Sequence, residues 1–368
     1  MVKSNKNICF VIFLCLYCDI IKHLINSIIK LSEVMMKFSV GYRTQSNNEL
    51  VEQIISYKKD INEVYFSWGD TPSGRNDQTR SLGLTSWEAQ NKQIQDLTTL
   101  AKHGLKFNLL FNANCYGEHA QSKAFFDNVG QITDYVKNNF GLQSITTTSP
   151  LIAKFIKQNF DGIDVRASVN MGVGEVLGME YIKDFFDSFY VKREYNRDFA
   201  KLNELRTWCN NNGKEMYLLA NSGCLNYCSA HTFHDNLVAH EKQIAGMDNG
   251  YQFEGVCKKY LQNKANMGVL LDGTNFIRPE DVALYEGLVP AMKLATRVNS
   301  KPSRIFKAYM GGHYSGNTTE LLEPNHSHAI YPYVLDNDKI KSKIENQKLI
   351  YFDKENAFVK LEDVYVNK

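Results

Sequence analysis

Short apolar runs alternate with amphipathic helical stretches from residue 37 to residue 296, and this alternation limits the fold more than any other feature. Repeats of strand and helix form parallel sheets that are covered by helices. Nine strand candidates favour a closed (β/α)8 TIM-like barrel, with room for distortion, over an open sheet. The predicted strands are 37–43, 63–68, 106–112, 143–148, 163–168, 187–192, 215–220, 268–277 and 290–296.

Helix start and stop signals lie between these strands. The run Thr85-Ser86-Trp87-Glu88 has the pattern of a capping box, and Gly104 marks the expected end of that helix. Ser149 followed by Pro150 predicts the start of another helix. A further helix is expected over 198–211.

The chain divides into three segments of different character. Residues 36–322 form the predicted barrel, and 323–368 read as a small β-rich C-terminal extension. Residues 1–35 contain an unbroken apolar run that follows two lysines, as in a signal-like segment, but the run is short for a membrane-spanning helix. The alternative is an extension upstream of a mis-assigned start, because a core strand begins directly after Met35-Met36.

Acidic and basic side chains nearly balance, and the net charge is +2 with histidine neutral. Duplex DNA is therefore not an expected partner, because its binding needs a basic surface. No membrane is expected for 36–368. We expect a cytoplasmic protein, and the N-terminal apolar run leaves membrane anchoring or export as the alternative.

Five cysteines lie in the body of the chain, an odd number that does not suit a secreted disulfide scaffold. Cys115 follows the strand 106–112, and Cys224 and Cys228 follow 215–220. Functional groups of α/β barrels gather at these carboxyl ends of the strands. Cys257 lies in the long connection that follows, from which it can fold back over the same face.

Four converging thiolates suit either a [4Fe-4S] cluster or a structural zinc ion. The wide spacing of two of the four cysteines favours the cluster, and the alternative is that Cys224 and Cys228 are unligated loop thiols. Cys209 lies on the apolar stripe of the helix 198–211, so we expect it in the core.

Several stretches together resemble the collagenase-like peptidases of family U32, chiefly the short, uncharacterised members. The resemblance covers most of 36–322. It rests on Glu63-Val64-Tyr65-Phe66, Arg193-Glu194, Ala220-Asn221-Ser222-Gly223-Cys224, Arg278-Pro279-Glu280-Asp281, Lys293-Leu294-Ala295-Thr296-Arg297, and Ala308-Tyr309 with Gly316-Asn317.

The resemblance implies a barrel that carries a [4Fe-4S] cluster and hydroxylates an aromatic ring or a nucleobase without dioxygen. Cys224, Cys228 and Cys257 match ligand positions of such proteins. Cys115 matches only an element of the short members, which leaves Cys209 in reserve as the fourth ligand. A small molecule or RNA is the expected substrate, and a second family member is an expected partner.

Four further residues are candidate catalytic residues: Arg193, Glu194, Lys293 and Arg297. One hypothesis is that they form an anion or oxyanion clamp beside the cluster. The other is that they form a buried salt-bridge network that holds the barrel.

Two other functions remain open from the sequence. One is a peptidase, for which the pair Cys115 and His119 gives slight support. The other is a non-catalytic protein that binds a cluster or zinc and acts with a partner. The histidines His231, His234 and His240 follow Cys228 and are candidates for proton transfer or for positioning a substrate.

Overall fold

A computed structural model of the chain describes residues 35–69, 71–74, 83–248, 250 and 253–362. Except for Met35, the apolar segment predicted over 1–35 lies outside the described residues. The described residues from Lys37 onward form one compact unit. Among the helices of the described ranges, none has the length and hydrophobicity needed to cross a bilayer.

Within this unit, eight parallel strands of the described residues close into a barrel in sequence order, and the last strand pairs with the first. This confirms the predicted TIM-like (β/α)8 fold. The strands are β1 (Lys37–Gly41), β2 (Ile61–Phe66), β3 (Phe107–Phe111), β4 (Leu142–Thr147), β5 (Asp164–Ala167), β6 (Ser188–Tyr190), β7 (Glu215–Leu219) and β8 (Ala291–Leu294).

Helices follow the strands of the barrel, and further short helices lie in the long connection before β8 and in the C-terminal segment. They are α1 (Glu49–Ser56), α2 (Ser86–Lys102), α3 (Lys123–Phe140), α4 (Pro150–Asn159), α5 (Val176–Ile182), α6 (Phe199–Asn211), α7 (His231–Ala239), α8 (Glu241–Ile244), α9 (Val256–Leu261), α10 (Val269–Asp272), α11 (Pro302–Met310), α12 (Ser327–Ile330) and α13 (Lys354–Ala357).

Local signals in the sequence set where several of these helices begin and end. The Thr85 side chain accepts a hydrogen bond from the backbone N–H of Glu88, whose side chain returns one, so the predicted capping box starts α2. The predicted helix over 198–211 is α6, which the Asp198 side chain caps. Ser149 caps α4 and proline occupies its first position, as predicted.

The strand predicted over 268–277 is wrong. Residues 269–272 form the short helix α10, and residues 274–278 have no regular secondary structure and do not join the barrel. One backbone hydrogen bond, from the N–H of Ile277 to the carbonyl of Ala220 at 2.8 Å, ties this segment to the chain after β7. A short buried apolar run does not distinguish a strand from a helix by its pattern.

The C-terminal segment contains two small antiparallel sheets. One pairs β9 (Tyr333–Leu335) with β12 (Phe358–Lys360), and the other pairs β10 (Lys341–Glu345) with β11 (Lys348–Phe352). Arg278 donates to the carbonyl of Ile340 at 2.8 Å, which fastens this segment to the connection before β8.

The inside of the barrel is polar at mid-height. The carboxylate of Glu63 on β2 accepts hydrogen bonds from Ser39, Asn108 and Ser144, each at 3.0 Å, and from Arg166 Nη1 at 2.6 Å. Both charged side chains are almost fully buried. Burial by itself raises the pKa of Glu63, but the charge of Arg166 and the donated hydrogen bonds outweigh it and hold this pKa below its ordinary value.

Candidate functional site

A small cavity of about 80 Å³ opens at the carboxyl ends of the strands. In α/β barrels this is the end at which active sites lie. Four of the residues predicted from the sequence line the cavity, together with polar side chains from the neighbouring loops. The predicted four are Arg193, Cys224, Lys293 and Arg297, and the polar neighbours include Tyr65, Asn112, Asn170, Ser222, Asp235 and Glu323.

Arg193 connects the cavity with the cysteine-bearing loop. It lies in a short 3₁₀ helix, Arg193–Tyr195, directly after β6, and its side chain is buried. One guanidinium nitrogen, Nη1, lies 3.2 Å from the sulfur of Cys224 and 3.0 Å from Nε2 of His231. The other, Nη2, donates to the Asn170 side chain at 2.9 Å. A positive charge is thereby held against the Cys224 sulfur.

Lys293 occupies the inner face of β8. Its ammonium nitrogen lies 4.0 Å from the ring centre of Tyr65 and 5.1 Å from that of Tyr190. Burial and the nearby charge of Arg297 together lower the pKa of Lys293 to about 7, with Glu63 working in the opposite direction. At neutral pH the amine is therefore a mixture of the neutral and the charged form.

Arg297 follows β8 and reaches the same cavity. Its Nη1 atom lies 3.2 Å from the Ser73 hydroxyl and 3.4 Å from the Ser67 hydroxyl. The end of β1 approaches closely: a side chain at Gly41 would place its Cβ 2.6 Å from Cγ of Arg297 and 2.7 Å from the Tyr65 ring. Glycine at this position makes room for the arginine.

Glu194 does not join this group. It is half-buried beside Arg193, but it is not among the residues that line the cavity. No ion pair among the described residues joins Glu194 to Lys293. The salt-bridge network that the sequence suggested therefore does not form between these two residues. The buried ion pair of the barrel is instead Glu63–Arg166, which sequence reasoning missed.

The loop after β7 carries Cys224 and Cys228, and the C-terminal segment holds this loop in place. The backbone N–H of Gly223 donates to the carbonyl of Glu323 at 2.8 Å, and the His326 ring bonds the carbonyl of Gly223 at 2.8 Å. A Cβ at Gly223 would lie 2.4 Å from the carbonyl oxygen of Pro324. The close approach of the two segments therefore requires glycine here.

The structure places Cys257 close to Cys224 and Cys228. Cys257 is the second residue of α9, at the far side of the long connection. Burial raises the pKa of its thiol, and the nearby Cys224 and Cys228 raise it further. Three of the four predicted ligands therefore share one neighbourhood. Searched over the described residues, the structure contains no group of three or more His, Cys, Asp or Glu side chains arranged around a single metal ion.

Cys115 has a different partner from the one considered in the sequence. His119 is exposed and lies 3.4 Å from the Glu118 carboxylate, whereas the Cys115 thiol hydrogen-bonds to His240. This bond lowers the pKa of Cys115 and raises that of His240. Nδ1 of His240 lies 2.5 Å from the side-chain oxygen of Gln243, which orients the ring.

The remaining predicted residues take structural or peripheral places. Cys209 is fully buried on α6, as expected for a core residue, and burial raises the pKa of its thiol to about 12. His231 begins α7, with Nε2 at 3.3 Å from the Asp235 carboxylate. Burial and the charge of Arg193 lower the pKa of His231. His234 packs against the Phe253 ring at 5.5 Å.

The sequence and the fold of this chain are similar to those of known proteins. No family model matches the chain. The chain is 27% identical over 300 residues to the uncharacterized protease MJ1657 of Methanocaldococcus jannaschii, covering 79% of this chain and 84% of that protein. The structure of the U32 peptidase Mk0906 matches with a TM-score of 0.50 at 12% identity, covering 71% of this chain and 92% of that one. That match shows the barrel fold. The resemblance to the U32 peptidases predicted from the sequence is confirmed.

Proposed function

We propose that this relative of the U32 peptidases is an iron–sulfur enzyme of the O2-independent hydroxylating type, which acts on an aromatic ring or a nucleobase at the mouth of the barrel. The observation that supports it is the contact between Arg193 and the sulfur of Cys224, at 3.2 Å. This contact puts the cysteine loop and the basic cavity side by side, so that a cofactor on the loop and a substrate in the cavity would be neighbours.

The residues present suit a thiolate-bound cluster. Cys224, Cys228 and Cys257 are soft sulfur donors of the kind that hold iron–sulfur clusters, and their thiols influence one another electrostatically. Cys115 is the proposed fourth ligand, although its thiol is hydrogen-bonded to His240 in this structure. A zinc ion needs all its ligands within about 2.0–2.3 Å of one point. Cys115 and Cys257 are widely spaced along the chain, which makes zinc the weaker alternative.

The cavity supplies the second half of the proposal. Arg193, Lys293 and Arg297 bring three basic groups to a small pocket in which few water molecules compete with a ligand. Arginine forks match carboxylate and phosphate groups in geometry as well as in charge. We therefore assign these residues to the binding of a small anionic cosubstrate that donates the oxygen atom. A cluster, when bound, supplies one-electron transfer.

Anaerobic production of the full chain in a bacterial host that lacks such hydroxylases tests this function. The RNA and the small aromatic compounds of the host are then compared by mass spectrometry for products that contain one additional oxygen atom. We expect a new product with the wild-type chain and with the core variant Cys209→Ser, but not with Cys224→Ser. The absence of any oxygenated product from a cluster-loaded wild type would contradict the proposal.

A thiol peptidase is the second candidate, and the contact of Cys115 with His240 favours it. A thiol beside an imidazole that a third side chain orients is the arrangement by which cysteine nucleophiles are activated. Here Gln243 has the orienting role. The curated relative carries the name of a protease.

Hydrolysis of gelatin by the purified full chain separates the two candidates. Under the peptidase account Cys115→Ser and His240→Asn abolish cleavage, whereas Cys224→Ser leaves it intact. Under the hydroxylase account none of these proteins cleaves gelatin.

A further inference from the structure

We propose that Lys293 is an imine-forming amine that captures the carbonyl group of a small anionic carbonyl compound, of the 2-oxo acid class, in the cavity at the mouth of the barrel. The inference rests on the proposed function only in placing an anionic cosubstrate in this cavity. It does not require a cluster, and its test reads out a covalent bond rather than enzyme activity.

The first observation is the environment of the amine. Lys293 is only 7% exposed, yet it lines the cavity. Its nitrogen has two aromatic faces as neighbours, those of Tyr65 and Tyr190. The side-chain amine of Lys293 makes no hydrogen bond or ion pair among the described residues. A buried lysine that opens onto a cavity without a carboxylate partner is poorly placed for a structural role and accessible to a small ligand.

The second observation is the charge around the amine. Arg297, Arg193 and Arg166 all disfavour its protonation, and the carboxylate of Glu63, which favours protonation, is engaged by Arg166. Together with burial these charges bring the pKa of Lys293 to about 7. A lysine of ordinary pKa is neutral in roughly one molecule in 2,500 at pH 7, whereas a pKa near 7 leaves about half of the molecules neutral. Only the neutral amine has the lone pair that attacks a carbonyl carbon.

The third observation identifies the class of ligand. Arg193 and Arg297 line the same cavity as the amine, and guanidinium groups bind carboxylates. Two carboxylates also line it, but Asp235 lies against His231, and Glu323 makes contacts of its own. The basic groups outnumber the acidic ones. A cavity of about 80 Å³ limits the ligand to a few heavy atoms next to the amine, which suits a carbonyl flanked by a carboxylate.

The chemical step is balanced without a further reactant. The nitrogen lone pair of Lys293 forms a bond to the carbonyl carbon, and the carbonyl oxygen takes up the two protons that the amine gives up and leaves as water. One proton from the solvent then converts the imine to its protonated form. One C=O bond is replaced by one C=N bond, and no oxidant or reductant is consumed. The protonated imine keeps a positive charge at nitrogen, where the ring faces of Tyr65 and Tyr190 stabilise a cation.

Reductive trapping tests the proposal on the full chain. The protein is incubated with pyruvate and sodium cyanoborohydride between pH 5.5 and 9, and the modified lysines are located by peptide mass spectrometry. We expect a reduced pyruvyl adduct at Lys293, formed at a rate that rises through an inflection near pH 7. At pH 7 the rate should exceed that of a lysine with an ordinary pKa by roughly a thousandfold, from the difference in the neutral fraction, and the exposed Lys123 is the lysine used for comparison.

Controls separate the site from general lysine chemistry. Lys293→Arg should remove the adduct, whereas Lys123→Arg should keep it. Acetone, which lacks the carboxylate, should label Lys293 more slowly than pyruvate does. If Lys293→Arg does not fold, the pH dependence in the wild type still decides the question.

An unlabelled Lys293, or labelling at the rate of Lys123, would overturn the proposal. Iron and sulfide content, measured on the same preparation, reports on the proposed function independently.

Discussion

Replacing Glu63 by glutamine should destabilise the barrel substantially, because it removes the buried negative charge that pairs with Arg166. Glu63 and Arg166 are joined at 2.6 Å, with side-chain exposures of 4% and 3%. Asp164, the second partner of Arg166, is one-third exposed and compensates incompletely. Removing one partner of a buried pair costs about 3–5 kcal/mol, because the other charge is left without compensation.

This free energy converts to a measurable shift in melting temperature. The unfolding entropy of a unit of this size is about 0.7 kcal/mol per kelvin, so that a loss of 3–5 kcal/mol lowers the midpoint by roughly 4–7 °C. Calorimetry or circular dichroism at pH 7 measures the shift. The exposed pair Lys123–Asp127 provides the control, because Asp127→Asn should cost at most about 0.5 kcal/mol.

The difference in melting temperature between Glu63→Gln and the wild type depends on pH, which gives a second readout. The pKa of Glu63 is lowered in the folded state, so its contribution is complete above the ordinary glutamate pKa and is lost as the pH falls through the folded value. The loss of melting temperature caused by Glu63→Gln should therefore become smaller as the pH is lowered. A variant that melts within about 1 °C of the wild type at pH 7 would refute the reasoning. A loss of melting temperature that becomes larger in acid would also refute the reasoning.

Two further predictions concern the cysteines and the end of β8. In metal-free protein at pH 7.5, iodoacetamide should modify Cys115 first among the five described cysteines, because the bond to His240 lowers its pKa, and Cys209 last, because burial raises its pKa to about 12. Mass spectrometry measures the order of modification. The variant His240→Asn should slow the modification of Cys115, and an equal rate in that variant would contradict the pairing of Cys115 with His240. The Asn221 side chain accepts from the N–H of Ala295 at 2.7 Å and donates to its carbonyl at 3.0 Å. Asn221→Ala should therefore lower the free energy of unfolding by about 1–3 kcal/mol, and an unchanged urea midpoint would exclude this role.

The fold follows largely from local sequence signals. The apolar run of β3, Phe107–Phe111, is buried along its whole length, as strands of a parallel sheet covered on both faces are. The residues that cap α2 and α4 are visible in the sequence because capping depends on neighbours three positions away. The segment 268–277 shows the limit of this reasoning. Its apolar residues are buried, but its neighbours in space, and not its pattern, decide that it stays outside the barrel.

The candidate site was predictable where it depends on the ends of strands. Arg193, Cys224 and Lys293 line one cavity because the carboxyl ends of parallel strands meet at one end of a barrel. The pairing of Glu63 with Arg166 was not predictable, because it joins β2 to β5 across the barrel interior. An acidic residue within an otherwise apolar strand was the available signal. The partner of Cys115 was also missed, since His240 lies on a connection whose path depends on tertiary packing.

The central claim is that the cysteines beside the cavity hold an iron–sulfur cluster. The most direct measurement is the iron, acid-labile sulfide and zinc content of the full chain after anaerobic purification. The account predicts about four iron and four sulfide per chain, lost in Cys224→Ser and retained in the core variant Cys209→Ser. A folded wild-type chain without iron and sulfide, or with zinc in their place, would contradict it.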